Sequence, residues 1–122
     1  PSGNWIAIPQ RLPSKSTVAL FEKNGLRHRE LVLPFDLQDE PILSCKWSED
    51  SDILCLETMS SESHNLYLYT IGNYHWYLKQ KLCFSLQDPV AVYVWDMEIG
   101  EEKTLHVLKQ SGQHSVYRYV IF

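Results

Sequence analysis

One layout recurs along this chain at a spacing near 48 residues, and that recurrence limits the fold more than any other feature. Trp47 precedes a polar run, Ser48–Asp52, and then the apolar Ile53-Leu54-Cys55-Leu56. Trp95, 48 residues later, precedes Asp96–Glu102 and then Leu105-His106-Val107-Leu108. Gly3-Asn4-Trp5-Ile6-Ala7-Ile8 aligns with Ser51–Leu56 at the same spacing, and Val18-Ala19-Leu20-Phe21 with Leu66-Tyr67-Leu68-Tyr69. Val116-Tyr117-Arg118-Tyr119 aligns with that last segment at 50. A period of this length, built from several short strands per copy, is the signature of propeller blades.

The strands are read from apolar runs flanked by turn formers. Trp5–Ile8 runs into Pro9, Thr17–Phe21 into Asn24-Gly25, and Arg29–Leu33 into Pro34. Ile42–Trp47, Ile53–Thr58, Asn65–Ile71, Tyr74–Leu86, Val90–Trp95, Thr104–Leu108 and Ser115–Phe122 complete the set. These runs are rich in Val, Ile, Leu, Tyr and Trp, and none holds a helical period for three turns. Val90, Val92 and Val94 alternate with Ala91, Tyr93 and Trp95, so both faces of that strand are apolar, as are both faces of Leu66–Tyr69. A sheet with one wet face alternates apolar with polar; a blade between neighbours does not. The expected fold is all-β: a WD40-like β-propeller fragment of about three antiparallel four-stranded blades, of the seven-bladed type, the first and last incomplete. Residues 1–38 form a partial blade, 39–87 a complete one and 88–122 another partial one. The start reads as the second half of a turn and the end as an unfinished strand, so a segment of a longer protein is expected.

Composition narrows function by exclusion. The 122 residues carry a formal charge of −4, which argues against a dedicated phosphate-binding surface. Cys45, Cys55 and Cys83 are odd in number and widely spaced, which favours a reducing compartment and core packing over disulfides, clusters or metal sites. No charged-then-apolar leader opens the chain, and no apolar run approaches the roughly 18 residues of a membrane span, so no membrane partner is expected. Among the histidines, His106 lies in an apolar strand and reads as a satisfied buried imidazole, whereas His64 and His114 stand at strand starts beside polar loops. No nucleophile elbow, glycine-rich phosphate loop or His-Glu-x-x-His run occurs. No catalytic residue, cofactor or metal is therefore expected. Glu98–Glu102 and Ser60–Ser63 read as solvated turns.

Two features remain as candidate interaction sites. Gly72-Asn73 suits a tight hairpin turn, after which Tyr74 and Trp76 point to one face and His75 and Tyr77 to the other. A platform for stacking bases would gather its rings on one exposed face, so packing is the preferred reading; the alternative is Trp76 or Tyr77 as an exposed protein-interface anchor. The basic spots are Arg27-His28-Arg29 and the pair Lys79 and Lys81. Both could touch phosphate; the alternative is that lysines on an outer strand protect its edge from foreign strands.

The string Gly72-Asn73-Tyr74-His75-Trp76-Tyr77-Leu78-Lys79-Gln80 resembles the corresponding stretch of the Elongator complex protein 1 family, the largest subunit of Elongator. Phe21–Leu26, Leu33-Pro34-Phe35 and Pro1-Ser2-Gly3 match the same region in the same order, and Leu105–Leu108 anchors the weaker match after Asp88. Usual WD40 hallmarks are absent: no Gly-His pair opens a blade, and Tyr69 stands where a Trp-Asp pair often ends a third strand. The resemblance implies a propeller segment of a non-catalytic scaffold that supports carbon-5 modification of wobble uridine in tRNA, the chemistry belonging to another subunit. It implies other Elongator subunits as partners, tRNA through the whole complex, a homodimer formed through a region outside this chain, and a cytoplasmic location with the nucleus as a second compartment. The rival readings are a generic WD40 adaptor with no tRNA role and a propeller hydrolase, which would need a polar cluster at the central channel.

Overall fold

The computed structural model describes the backbone of residues 5–12, 15–22, 27–48, 53–72, 75–96 and 102–120, and the side chains of residues 7, 17–18, 31–48, 53–70, 78–96 and 103–119. Its regular elements are all strands: β1 (Trp5–Leu12), β2 (Lys15–Glu22), β3 (Arg27–Val32), β4 (Ile42–Trp47), β5 (Ile53–Met59), β6 (Ser63–Gly72), β7 (His75–Ser85), β8 (Val90–Trp95), β9 (Glu102–Lys109) and β10 (His114–Val120). They pair as three antiparallel sheets, in the orders β1-β2-β3, β4-β5-β6-β7 and β10-β9-β8. The all-β expectation holds, and within each sheet every strand pairs with its sequence neighbour.

Alternation along β5 and β6 explains the stacking. Ile53, Cys55, Leu66 and Leu68 face the third sheet and pack with Leu82, Phe84, Val90, Tyr93, Leu105, Val107 and Tyr119. The intervening Leu54, Leu56, Tyr67 and Tyr69 face the first sheet and pack with Val18, Leu31 and Leu33. Successive strand side chains point to opposite faces, so an unbroken apolar run is the pattern a sheet with two neighbours requires. Each of the buried Val, Leu, Ile and Phe side chains among these contributes about 1.5–3 kcal/mol by leaving water.

The third sheet departs from the expected two-sided burial. A register shift between Val90 and Val92 brings Val90 and Tyr93 to the inner face together. Val92, Val94, Leu108 and Val116 lie on the other face, between 39% and 47% exposed. Both faces are apolar, as read from the sequence, but among the described residues only one is covered.

Two strand limits also differ. β1 does not stop at Pro9: it continues to Leu12 with Pro9 opposite Val18. β1 is an edge strand, where a residue without an N–H can sit with its nitrogen turned away from the ladder. Gly72, expected in the β6–β7 turn, instead ends β6 and pairs with His75.

Residues 1–122 expressed alone are expected to self-associate, because open strand edges and the Val92–Val116 face meet water together. Sedimentation should show concentration-dependent oligomers that Val94→Lys with Val116→Lys reduces. A sharp monomeric boundary with cooperative melting for the unaltered segment would contradict this.

Candidate functional site

The surface residues singled out by sequence are only partly visible. The side chains of Arg27, Arg29, Trp76 and Tyr77 lie outside the described residues, as do Tyr74 and most of the Glu98–Glu102 loop. Lys79 and Lys81 sit on β7, the outermost strand of its sheet. A register shift after Leu68 skips Lys79, since Leu68 pairs with Gln80 and Tyr69 with Leu78. Lys79 is half-buried there, while Lys81 is exposed with its Nζ 5.3 Å from the Tyr67 ring centroid, a cation–π distance.

Polar groups gather instead at the seams between sheets. At the first seam, Glu40 comes from the connection between β3 and β4, which Asp36 folds by accepting N–H bonds from Gln38, Asp39 and Glu40. The buried Glu40 Oε2 accepts from Thr58 Oγ1, from Tyr67 Oη at 2.7 Å and from Asn65 Nδ2 at 3.2 Å. Three donors on one oxygen compensate its loss of water and tie the connection to β5 and β6. Phe35 covers the site, its ring centroid 4.8 Å from that of Tyr67.

At the second seam a hydrogen-bonded chain leaves the third sheet and returns to it. Ser44 Oγ donates to Glu57 Oε1 at 2.7 Å and lies 2.8 Å from Tyr93 Oη on β8. Glu57 Oε2 is 2.7 Å from His64 Nε2, and His64 Nδ1 accepts the main-chain N–H of Val90 at 3.0 Å. A main-chain N–H can only donate. Nδ1 therefore carries no proton, and Nε2–H donates to the carboxylate. Lys46 adds a second strap between β4 and β8: its Nζ donates to Tyr93 O at 2.6 Å, and its carbonyl accepts from Trp95 Nε1 at 3.1 Å. Asp88 Oδ1 and Oδ2 accept from Ser111 N and Oγ, both at 2.8 Å, and these two bonds hold the Asp88 carboxyl below the usual range.

This placement reverses the reading of His64 and His106, while His114 is exposed at the start of β10 as expected. His64, expected at a polar loop, is 2% exposed, whereas His106 is half-exposed. The cause is the seam: β6 lies inside the stack, while His106 projects from the uncovered face of the third sheet. The cysteines divide in the same way. Cys55 is buried, and burial pushes its thiol up and away from reactive thiolate. Cys45 and Cys83, expected in the core, are exposed on β4 and β7, the two border strands of the sheet. Sequence reasoning missed Glu40, Ser44 and Glu57 altogether. The available signal was an acidic residue directly after the apolar run Ile53–Leu56, within the strand Ile53–Met59.

Ser44, Glu57 and His64 do not form a nucleophile. The serine proton goes to the carboxylate, and the imidazole lone pair is taken by Val90 N–H, so neither is left to act on a substrate. Among the described residues, no group of three His, Cys, Asp or Glu side chains is arranged to hold a metal ion, and no helix is long and apolar enough to cross a membrane.

Two outcomes follow from the seams. In the intact protein, His64→Ala leaves Val90 N–H and Glu57 Oε2 without their partner, so β8 should lose about 2 kcal/mol of local protection and exchange its amides roughly 30-fold faster; unchanged exchange would remove the seam's energetic role. Burial also pushes Tyr69 up to about 12 and raises Tyr67, Tyr93 and Tyr119 above the ordinary 10.0. The unfolded chain then loses tyrosine protons first, so stability is full below about pH 10 and falls as pH climbs toward 12. Phenolate absorbance should accordingly appear in part only with unfolding.

Comparison with known proteins places this architecture. The family model described as ELP1 first N-terminal beta-propeller matches residues 1–98. The chain is 66% identical to Elongator complex protein 1 of Drosophila melanogaster over 119 residues, covering 98% of this chain and 10% of that protein. It is 36% identical to the rabbit (Oryctolagus cuniculus) protein over 126 residues, covering 96% and 9%, and 38% identical to the Saccharomyces cerevisiae protein over 90 residues, covering 70% and 6%. It thus spans about a tenth or less of the length of these relatives. With stacked antiparallel sheets and this breadth of similarity, the chain belongs to the Elongator complex protein 1 family, within its first N-terminal β-propeller.

Proposed function

We propose that this segment works in the Elongator complex as a non-catalytic scaffold, holding partner subunits and helping to position tRNA while another subunit modifies carbon 5 of the wobble uridine. Family membership is the observation that carries this reading. The physical form agrees with it: stacked sheets with polar straps between them hold loops in fixed places, and rigid loops recognise partners by shape and by a few buried anchors. The reactive side-chain types at the second seam are consumed in holding sheets together, which fits a frame rather than an enzyme. Arg27, Arg29, Trp76, Tyr77, Lys79 and Lys81 are the proposed contact residues, with tRNA bound by the complex as a whole and the homodimer formed through a region outside this chain. The proposed setting is the cytoplasm, and the nucleus as a second compartment.

Depletion of the full-length protein is expected to lower wobble-uridine carbon-5 modification, measured by mass spectrometry of digested tRNA, and to disperse co-purifying Elongator subunits. Unchanged tRNA together with a different set of partners would replace this reading with that of a general adaptor.

A further inference from the structure

The third sheet repeats the polar clamp of the second with histidine in place of glutamate. In the second sheet Glu57 pairs with Leu66 and Met59 with His64. In the third, His106 pairs with Val116 and Leu108 with His114. His114 therefore holds the position of His64, and His106 that of Glu57. Their contacts repeat as well: His106 Nδ1 lies 3.0 Å from His114 Nε2, where Glu57 Oε2 lies 2.7 Å from His64 Nε2. The negative charge moves one step back, to Asp96, whose Oδ2 is 2.9 Å from His106 Nε2. Asp96 is itself fixed by its main-chain N–H to Thr104 O at 2.9 Å.

With both rings neutral, the carboxylate sets every proton in this row. His106 Nε2–H donates to Asp96, so His106 Nδ1 accepts from His114 Nε2–H. His114 Nδ1 is left as an acceptor, as Nδ1 is in His64. In the second sheet that atom takes the N–H of Val90, the first residue of the next sheet's first strand. In the third, no described residue bonds it, and the ring stands exposed on the face that carries Val92, Val94, Leu108 and Val116. This face is the counterpart of the one by which the second sheet receives the third.

We propose that His114 Nδ1 accepts a main-chain N–H from the first strand of the blade that follows β10 in the intact protein, and that Asp96 and His106 are positioning residues that hold the His114 ring in the tautomer with its proton on Nε2 and its lone pair on Nδ1. The occupant is a segment of the same protein beyond residue 122. Relatives about ten times the length of this chain have the sequence to supply it, and the register equivalence states where its N–H must lie. The inference does not depend on the tRNA role.

The test is hydrogen exchange at single-amide resolution on the full-length protein. In His114→Ala, one amide in the first strand of the following blade should exchange roughly fivefold to tenfold faster, the loss of one net hydrogen bond. His114→Asn, whose Oδ1 can occupy the place of Nδ1, should retain most of the protection. Should the alanine variant also loosen β9 and β10, the asparagine variant decides. Unaltered exchange in His114→Ala, or equal loss in both variants, would overturn the proposal.

Discussion

The two-sided burial of β5 and β6 is the constraint on which the other features rest. Four consecutive apolar residues on each strand, Ile53–Leu56 and Leu66–Tyr69, leave no face for water. Such a sheet has no stable existence as a single layer, because every second side chain would be stranded whichever way it turned. A sheet on each side is the solution, and repetition along the chain supplies those sheets from the same pattern. The stack is thus a consequence of strand alternation carried to its limit.

Apolar burial alone does not fix how one sheet sits on the next. Hydrophobic contact is non-directional, and two pleated apolar faces can slide past each other with little penalty. The seams carry polar chains that forbid sliding. A shift of one residue would separate His64 Nδ1 from Val90 N–H, and Ser44 Oγ and Lys46 Nζ from Tyr93, leaving these groups unpaired at the seam. Glu40 plays the same part for the connection between the first and second sheets. Polar groups in these positions add register to an interface whose strength comes from leucine, tyrosine and valine.

This division of labour explains what could be read from the sequence. The strands, their antiparallel order and the faces of Leu66–Tyr69 follow from alternation, a local property of the chain. The repeat near 48 residues led to stacked blades because each copy carries the same alternation. The seam residues were not legible. Glu57 looks like a charge out of place until Ser44 and His64 are brought to it from neighbouring strands, and Glu40 looks like one acid among several in a loop. The misjudged histidines have the same origin. His106 lies in an apolar run and His64 beside a polar turn, but burial is decided by which face has a neighbour. Pro9 and Gly72 show the limit of breaker residues as punctuation, since an edge strand accepts the first and a paired hairpin end the second.

The relation between Glu57 and His106 shows how a repeat can keep a contact while changing its chemistry. A carboxylate at that position binds the imidazole directly and carries its own charge into the seam. A histidine there bonds the same nitrogen but needs a second group to hold its proton in place, and Asp96 stands where it can do so. The charge is thereby moved to Asp96, which is more exposed to water than Glu57 and costs less to keep ionised. Geometry is conserved between the two sheets at the level of hydrogen-bond direction, while residue type is free to vary so long as one lone pair still points out of the sheet.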